Sequence, residues 1–280
     1  MRLAVLFLLS MVFAACAAHG QQAVRIRVDG GPPGKKSEIP AELYRPAATP
    51  APAVALFHGC GGVGVNIRRM AELLKNWGYV ALVVDSFSSR GIRDACGLQK
   101  WPTQADAEKR ALDIDAAARW LGEQAFVRSG QIGFMGYSYG GGVGVLRALS
   151  SEVDARPRSA WQASVLLYPD CALGEALGPK LRPRQPTLIA MGELDDWTPV
   201  PRCKALLDRI VADRQMVELR IYPGAHHSFD ALGLPVRYLE GAGNRSKPNN
   251  CCGAHYGANE PAWKSFVADV KAFLARNLPP

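Results

Sequence analysis

The sequence predicts an α/β protein with a mostly parallel central sheet and helices on both faces. Apolar runs of strand length recur along the chain, longer amphipathic segments separate them, and glycine- or proline-rich turns mark the junctions. Continuous Val/Leu/Ile runs are what strands buried on both faces look like. Their alternation with helices is the pattern of right-handed crossovers feeding a parallel sheet. With 280 residues, 48% of them hydrophobic, the chain can fill one large core, and we expect a single domain over 21–280.

In chain order, Met1 and Arg2 precede an apolar run from Leu3 to Ala18 broken only by Ser10. A charged start, an apolar stretch and small residues describe a signal peptide over 1–20, and hence an exported protein, periplasmic or secreted. The run is too short and lacks the basic flank of a membrane span. "FAAC" at 13–16 is an imperfect lipoprotein box, and cleavage before Cys16 would instead leave a lipid anchor there. "VRIRV" and "EIPAELYRP" are two strands separated by the turn "DGGPPGKKS". The alternation follows: "AVALFHG", a helix over 67–77, "YVALVVDS", a helix over 105–124, "QIGFMGYS" and a helix over 139–149. Then come "ASVLLYPD", "TLIAMG", a helix over 202–212, "VELRIYPG" and a closing helix over 262–278. The stretch 228–261 has little periodicity. Irregular segments longer than about 12–15 residues are commonly functional, so we expect a rim over the site, stapled by Cys251 and Cys252.

Apart from Cys16 there are six cysteines, Cys60, Cys96, Cys171, Cys203, Cys251 and Cys252, an even number suited to disulfides in an oxidising compartment. Their spacing matches no paired C-x-x-C zinc pattern, so no metal is expected. The net charge of +8 is spread along the chain without a basic block or interleaved aromatics. That excludes a nucleic-acid footprint.

"GYSYG", 136–140, has the G-x-S-x-G form and closes one apolar strand while opening a small-residue helix. That is the setting of a nucleophile elbow, a strained turn that needs glycine two residues either side of the serine and lifts its Oγ clear of the sheet. A serine needs a base, and the base an orienting acid. In this topology they follow in the order serine, acid, histidine, each after a strand. "GELDDWTP" supplies Asp195 or Asp196, and "YPGAHHSF" supplies His226 or His227. The oxyanion donors expected are the N–H groups of Tyr139, next to the serine, and of Cys60, in the loop "LFHGCGG". His58 in that loop precedes the serine and is read as holding the loop rather than as the base. The same loop contains a literal G-x-G-x-x-G, 59–64, with Asp85 ending the next strand. A nucleotide site there, binding NAD, is the rival reading. It leaves the serine, aspartate and histidine unexplained, and exported proteins rarely meet free NAD.

Taken together, "GYSYGG", the G-x-x-D-x-x-T-P run over 192–199 and "YPGAHHSF" resemble the dienelactone hydrolase family of α/β-hydrolases, over 53–227 and the final helix. The resemblance implies the α/β-hydrolase fold, Asp195 as acid and His227, the histidine before Ser-Phe, as base. It also implies Arg90 as a holder of a substrate carboxylate. The chain departs from the family's dienelactone-opening members in having Ser138 where they carry cysteine, and Gly59 where the loop carries an acidic residue. It therefore implies an esterase acting on a small carboxylic ester or lactone through an acyl-enzyme, without a cofactor. Tyr137 and Trp197 are further substrate-contact candidates. A peptidase, an acyltransferase, or a non-catalytic envelope protein on the same scaffold would share these residues. Cys171 and Cys203 follow strands at the edge that bears the site, and we expect them to be bonded to each other.

Overall fold

A computed structural model describes residues 21–29, 37–97, 102–151 and 160–280. The leader expected over 1–20, including Cys16, lies outside the described residues, as does most of the turn after the first strand. The elements run β1 (Gln22–Val28), β2 (Ser37–Tyr44), β3 (Ala51–Phe57), α1 (Val65–Asn76), β4 (Val80–Val84) and α2 (Gln104–Gly122). They continue with β5 (Val127–Tyr137), α3 (Tyr139–Ala148), β6 (Leu149–Ser151), β7 (Ala163–Leu167), β8 (Leu181–Pro183) and β9 (Thr187–Gly192). The chain ends with α4 (Val200–Leu207), β10 (Val217–Tyr222), β11 (Arg237–Leu239), β12 (Ala254–Tyr256) and α5 (Glu260–Asn277).

Eight strands form one sheet in the order β1-β2-β4-β3-β5-β7-β9-β10. β1 and β2 pair antiparallel, β2 joins β4 antiparallel, and every pairing from β4 onward is parallel. The apolar runs divide their side chains between the two faces, as the twofold period of a strand requires. From β3, Ala53, Ala55 and Phe57 enter the core on one face, while Val54 and Leu56 enter the core on the other. The first core is closed by α2, α3 and α4 through Ile114, Val143 and Leu206. The second is closed by α1 and α5 through Met70, Leu74, Phe266 and Phe273. Among the described residues no helix is long and apolar enough to cross a membrane.

Local chemistry explains the helix ends. α2 starts at a capping box, in which Thr103 Oγ1 accepts from Asp106 N and Asp106 Oδ2 accepts from Thr103 N. α5 starts at Asn259, whose Oδ1 accepts from Ala262 N. The helix expected over 202–212 begins earlier and stops at Leu207. Its continuation is drawn off by β8: Leu181 N donates to Arg209 O, and Val211 N donates to Leu181 O. Tertiary hydrogen bonding here outweighs a helical pattern in the sequence.

Phe266 is fully buried on α5 against the sheet. Phe266→Ala should cost about 3–5 kcal/mol of unfolding free energy, read from the denaturant midpoint at unchanged slope.

Candidate active site

β5 ends at Tyr137 and α3 begins at Tyr139, so Ser138 is the turn between them, with φ 52° and ψ −117°. For an L-residue that is a strained conformation, and the packing around it is correspondingly tight. A Cβ on Gly140 would run into the carbonyl oxygens of Phe57 and His58, and one on Gly136 into the carbonyl of Gly140. The turn is fixed by Ser138 N donating to Leu167 O at 2.9 Å and Gly142 N donating to Ser138 O at 2.8 Å.

The loops after β9 and β10 bring two more groups to this turn. His227 Nε2 lies 2.8 Å from Ser138 Oγ, and His227 Nδ1 lies 2.8 Å from Asp195 Oδ2. A carboxylate only accepts, so Nδ1 carries the hydrogen and Nε2 accepts from the serine hydroxyl. All three residues are buried. Asp195 is oriented by its own loop: its Oδ1 accepts from Trp197 N at 2.9 Å and Thr198 N at 2.8 Å. Thr198 Oγ1 lies 3.0 Å from Asp195 Oδ2 and 3.0 Å from Tyr168 O. The imidazole of His227 sits between the rings of Tyr168 and Trp197, at 4.5 and 4.9 Å.

The neighbouring candidates go elsewhere. Asp196 accepts from His255 N and lies 2.8 Å from His255 Nδ1, while His226 Nδ1 bonds to Leu194 O. Gly59, Cys60, Gly61, Gly62 and Gly64, from the loop after β3, line the same cavity as Ser138, about 340 Å³ in volume, with Tyr137, Trp197, Leu239 and Tyr256. Gly59 packs directly against the serine, its missing Cβ falling 3.2 Å from Ser138 Cβ. Asp85, the acidic residue of the nucleotide reading, instead closes its own turn by accepting from Phe87 N and Ser88 N.

Arg90 does not line the cavity that holds Ser138; it lines a neighbouring one. Its guanidinium forms a two-pronged pair with Asp113, at 2.7 and 2.8 Å, and also bonds to Ser86 O. Asp113 on α2 is completely buried, and its charge would be uncompensated without that partner. Arg90 therefore serves the interior.

The cysteines pair as Cys60–Cys96, Cys171–Cys203 and Cys251–Cys252. The second is the pair expected, and the first ties the loop after β3 to the stretch after β4. The 228–261 segment contains the β11–β12 ribbon. It bonds to the acid loop through Trp197 Nε1 to Gly243 O and Asn244 Nδ2 to Asp196 O, and to the other side through Gly243 N to Cys96 O.

Sequence reasoning missed a polar cluster beside the relay. Buried Asp230 accepts from Tyr168 OH at 2.6 Å and from Asn66 Nδ2 at 2.8 Å. Burial pushes its carboxyl above the usual range, against the pull of those two donors. Nothing local in "HSFD" signals this, because the donors come from α1 and the β7 loop. Thr198 was more accessible, since D-x-x-T is the spacing of a local side-chain-to-backbone turn. Among the described residues no group of three or more His, Cys, Asp or Glu side chains is placed to hold a metal ion.

The model of the dienelactone hydrolase family matches residues 39–274. The chain belongs to the dienelactone hydrolase family. As a member of it, the protein is an ester or lactone hydrolase. It is 29% identical over 196 residues to a probable 2-oxo-3-(5-oxofuran-2-ylidene)propanoate lactonase of Bradyrhizobium sp, covering 68% of this chain and 78% of that protein. It is 26% identical over 193 residues to carboxymethylenebutenolidase of Pseudomonas putida, covering 66% and 77% of the two chains. The structure of dienelactone hydrolase from Anabaena variabilis superposes with a TM-score of 0.63 at 19% identity, covering 92% of this chain and 98% of that one. That likeness establishes the α/β-hydrolase fold.

His58 is a second buried imidazole close to this turn. It is fully enclosed, its Nδ1 donating to Gly59 O at 2.7 Å and its Nε2 accepting from Ser86 N at 3.2 Å. Burial, aided by the Arg110 charge, lowers its pKa from 6.5 to about 3. The folded state thus needs the neutral ring, whereas the unfolded chain takes up a proton near pH 6.5. The resulting stability is present above pH 6.5 and is lost as pH falls towards 3, with a slope approaching about 1.4 kcal/mol per pH unit. Urea titrations between pH 7 and 4 should show this slope in the native protein and a flatter one in His58→Gln.

Proposed function

We propose that this hydrolase is an exported serine esterase that cleaves a small carboxylic ester or lactone through a Ser138–His227–Asp195 triad. The observation that carries the reading is the unbroken relay Ser138 Oγ–His227–Asp195, with both links at 2.8 Å and no exposed member. Nε2 of His227 takes the hydroxyl proton as Ser138 Oγ adds to the substrate carbonyl carbon. Asp195 holds the tautomer and stabilises the imidazolium that forms. The tetrahedral oxyanion is received by the N–H groups of Cys60 and Tyr139. Tyr139 is the first residue of α3, a position whose N–H has no partner within the helix.

The intermediate collapses when the carbonyl re-forms and the C–O bond to the alcohol breaks, with His227 returning the proton to the departing oxygen. A water molecule, deprotonated by the same imidazole, then adds to the acyl-enzyme. The second collapse frees the acid and restores the serine hydroxyl. A lactone passes through the same steps, with acid and alcohol leaving as one hydroxy acid.

The cavity volume suits a small molecule. Tyr137 and Trp197 line it and are assigned to substrate contact. The names of the two curated relatives, a lactonase and a carboxymethylenebutenolidase, favour a lactone or a comparably small ester. Export is supported by the apolar leader and by the three disulfides, which persist in oxidising compartments.

A fluorophosphonate probe should label the native protein at Ser138, and Ser138→Ala should lose labelling. The same variant should lower kcat/KM on p-nitrophenyl acetate by at least about 10³-fold with unchanged circular dichroism. Undiminished turnover in that variant would end the assignment. Asp195→Asn should lower kcat by about 10⁴-fold while retaining the fold, because the histidine is then held in the wrong tautomer.

A further inference from the structure

A second cavity of about 370 Å³ lies beside the first. The two share Asp94, and the stretch Ala95–Cys96 with the Cys60–Cys96 disulfide stands between them. Ser138 lines one cavity and Tyr139, the next residue, lines the other. The second cavity has an apolar part in Phe87, Ile92, Ala95 and Tyr139, and a charged part in Arg90, Arg93, Lys109 and Arg110 against Asp94 and Asp106.

Arg110 is the unusual member. It is 4% exposed, and its guanidinium carbon lies 5.1 Å from the Phe87 ring centre and 4.8 Å from that of Tyr139. Nη2 donates to His58 O, but the buried Nη1 has no hydrogen-bond partner. The nearest buried carboxylate, Asp113, is taken by both prongs of Arg90. An orphaned guanidinium donor inside a protein costs free energy that an acceptor would recover. Four cations and two carboxylates line the cavity, and Asp113 behind it pairs with Arg90.

We propose that this second cavity binds a small monocarboxylate with a flat apolar body, its carboxylate on Arg110 and its body against Phe87 and Tyr139. Arg93 and Lys109 at the exposed mouth draw the anion in and strengthen its hold. The site is separate from the cavity of the Ser138 relay, and the proposal stands whether or not that relay is the catalytic apparatus. A carboxylate could arrive as a free metabolite or as the acid released by ester hydrolysis; both carry the same recognisable group.

Benzoate serves as the probe, followed by titration calorimetry on the intact protein, with benzamide as the uncharged control. Benzoate should bind with an affinity that falls as salt rises, and benzamide should not bind. Arg110→Met should abolish binding. Because that variant removes a buried group and can unfold, Arg93→Ala/Lys109→Ala is the second test, and it should weaken binding at least about fivefold with the fold intact. Binding should also survive when Ser138 carries a small phosphonyl group, which lies in the other cavity. The proposal is overturned if benzoate fails to bind, if benzamide binds equally well, if the double variant binds as tightly as the native protein, or if phosphonylation abolishes binding.

Discussion

Gly140 lies directly beneath the carbonyls of Phe57 and His58, with no room for even one extra carbon. That contact fixes the first turn of α3 against the end of β3, and so sets the Ser138 turn and the loop after β3 at one mutual distance. Strain at Ser138 persists only because its surroundings over-determine it. The hydrogen bonds from Ser138 N to Leu167 O and from Gly142 N to Ser138 O provide part of that restraint, and the parallel pairing of β5 between β3 and β7 provides the rest. The site is built where five adjacent parallel strands, β3, β5, β7, β9 and β10, end together, which is where open α/β sheets place their ligands.

Two kinds of buried polar group surround this turn, and they are stabilised differently. Asp195 is met by two backbone N–H groups and a hydroxyl, so its orientation is enforced by its own loop before His227 is considered. His58 and Arg110 instead occupy space from which water is excluded, and burial works against the charge of each. For His58 the outcome is a neutral ring bridging Gly59 O and Ser86 N. Arg110 keeps its cation, gives one prong to His58 O, and leaves the other open. The loop after β3 thus rests on a neutral histidine, which rests in turn on a buried guanidinium.

Covalent links and the 228–261 segment brace the loops that strand pairing does not reach. Cys60–Cys96 ties the loop after β3 to the chain beyond β4, and Cys171–Cys203 ties the β7 loop to α4 behind the Asp195 loop. The segment itself has no periodic pattern, yet it is held at both flanks. Trp197 and Asn244 fasten it to the acid loop, and the Gly97–Ala242 bridge fastens it opposite. Leu239 and Tyr256 thereby become walls of the cavity.

The sequence by itself determined what depends on near neighbours. Continuous apolar runs imply strands covered on two sides, and glycine two places either side of Ser138 answers a steric demand confined to five residues. The order of serine, acid and histidine follows from each standing after a strand. What it could not decide involved partners distant along the chain. Asp195 and Asp196 are adjacent and chemically alike; only the positions of His227 and His255 send one into the relay and the other to the rim. Arg90 reads as an anion holder until α2 presents a buried Asp113 across 23 positions. Asp230, Tyr168 and Asn66 come from three separate elements and meet only once the sheet has formed. Backbone sterics are written locally, whereas the pairing of buried charges depends on which side chains the fold brings within bonding distance.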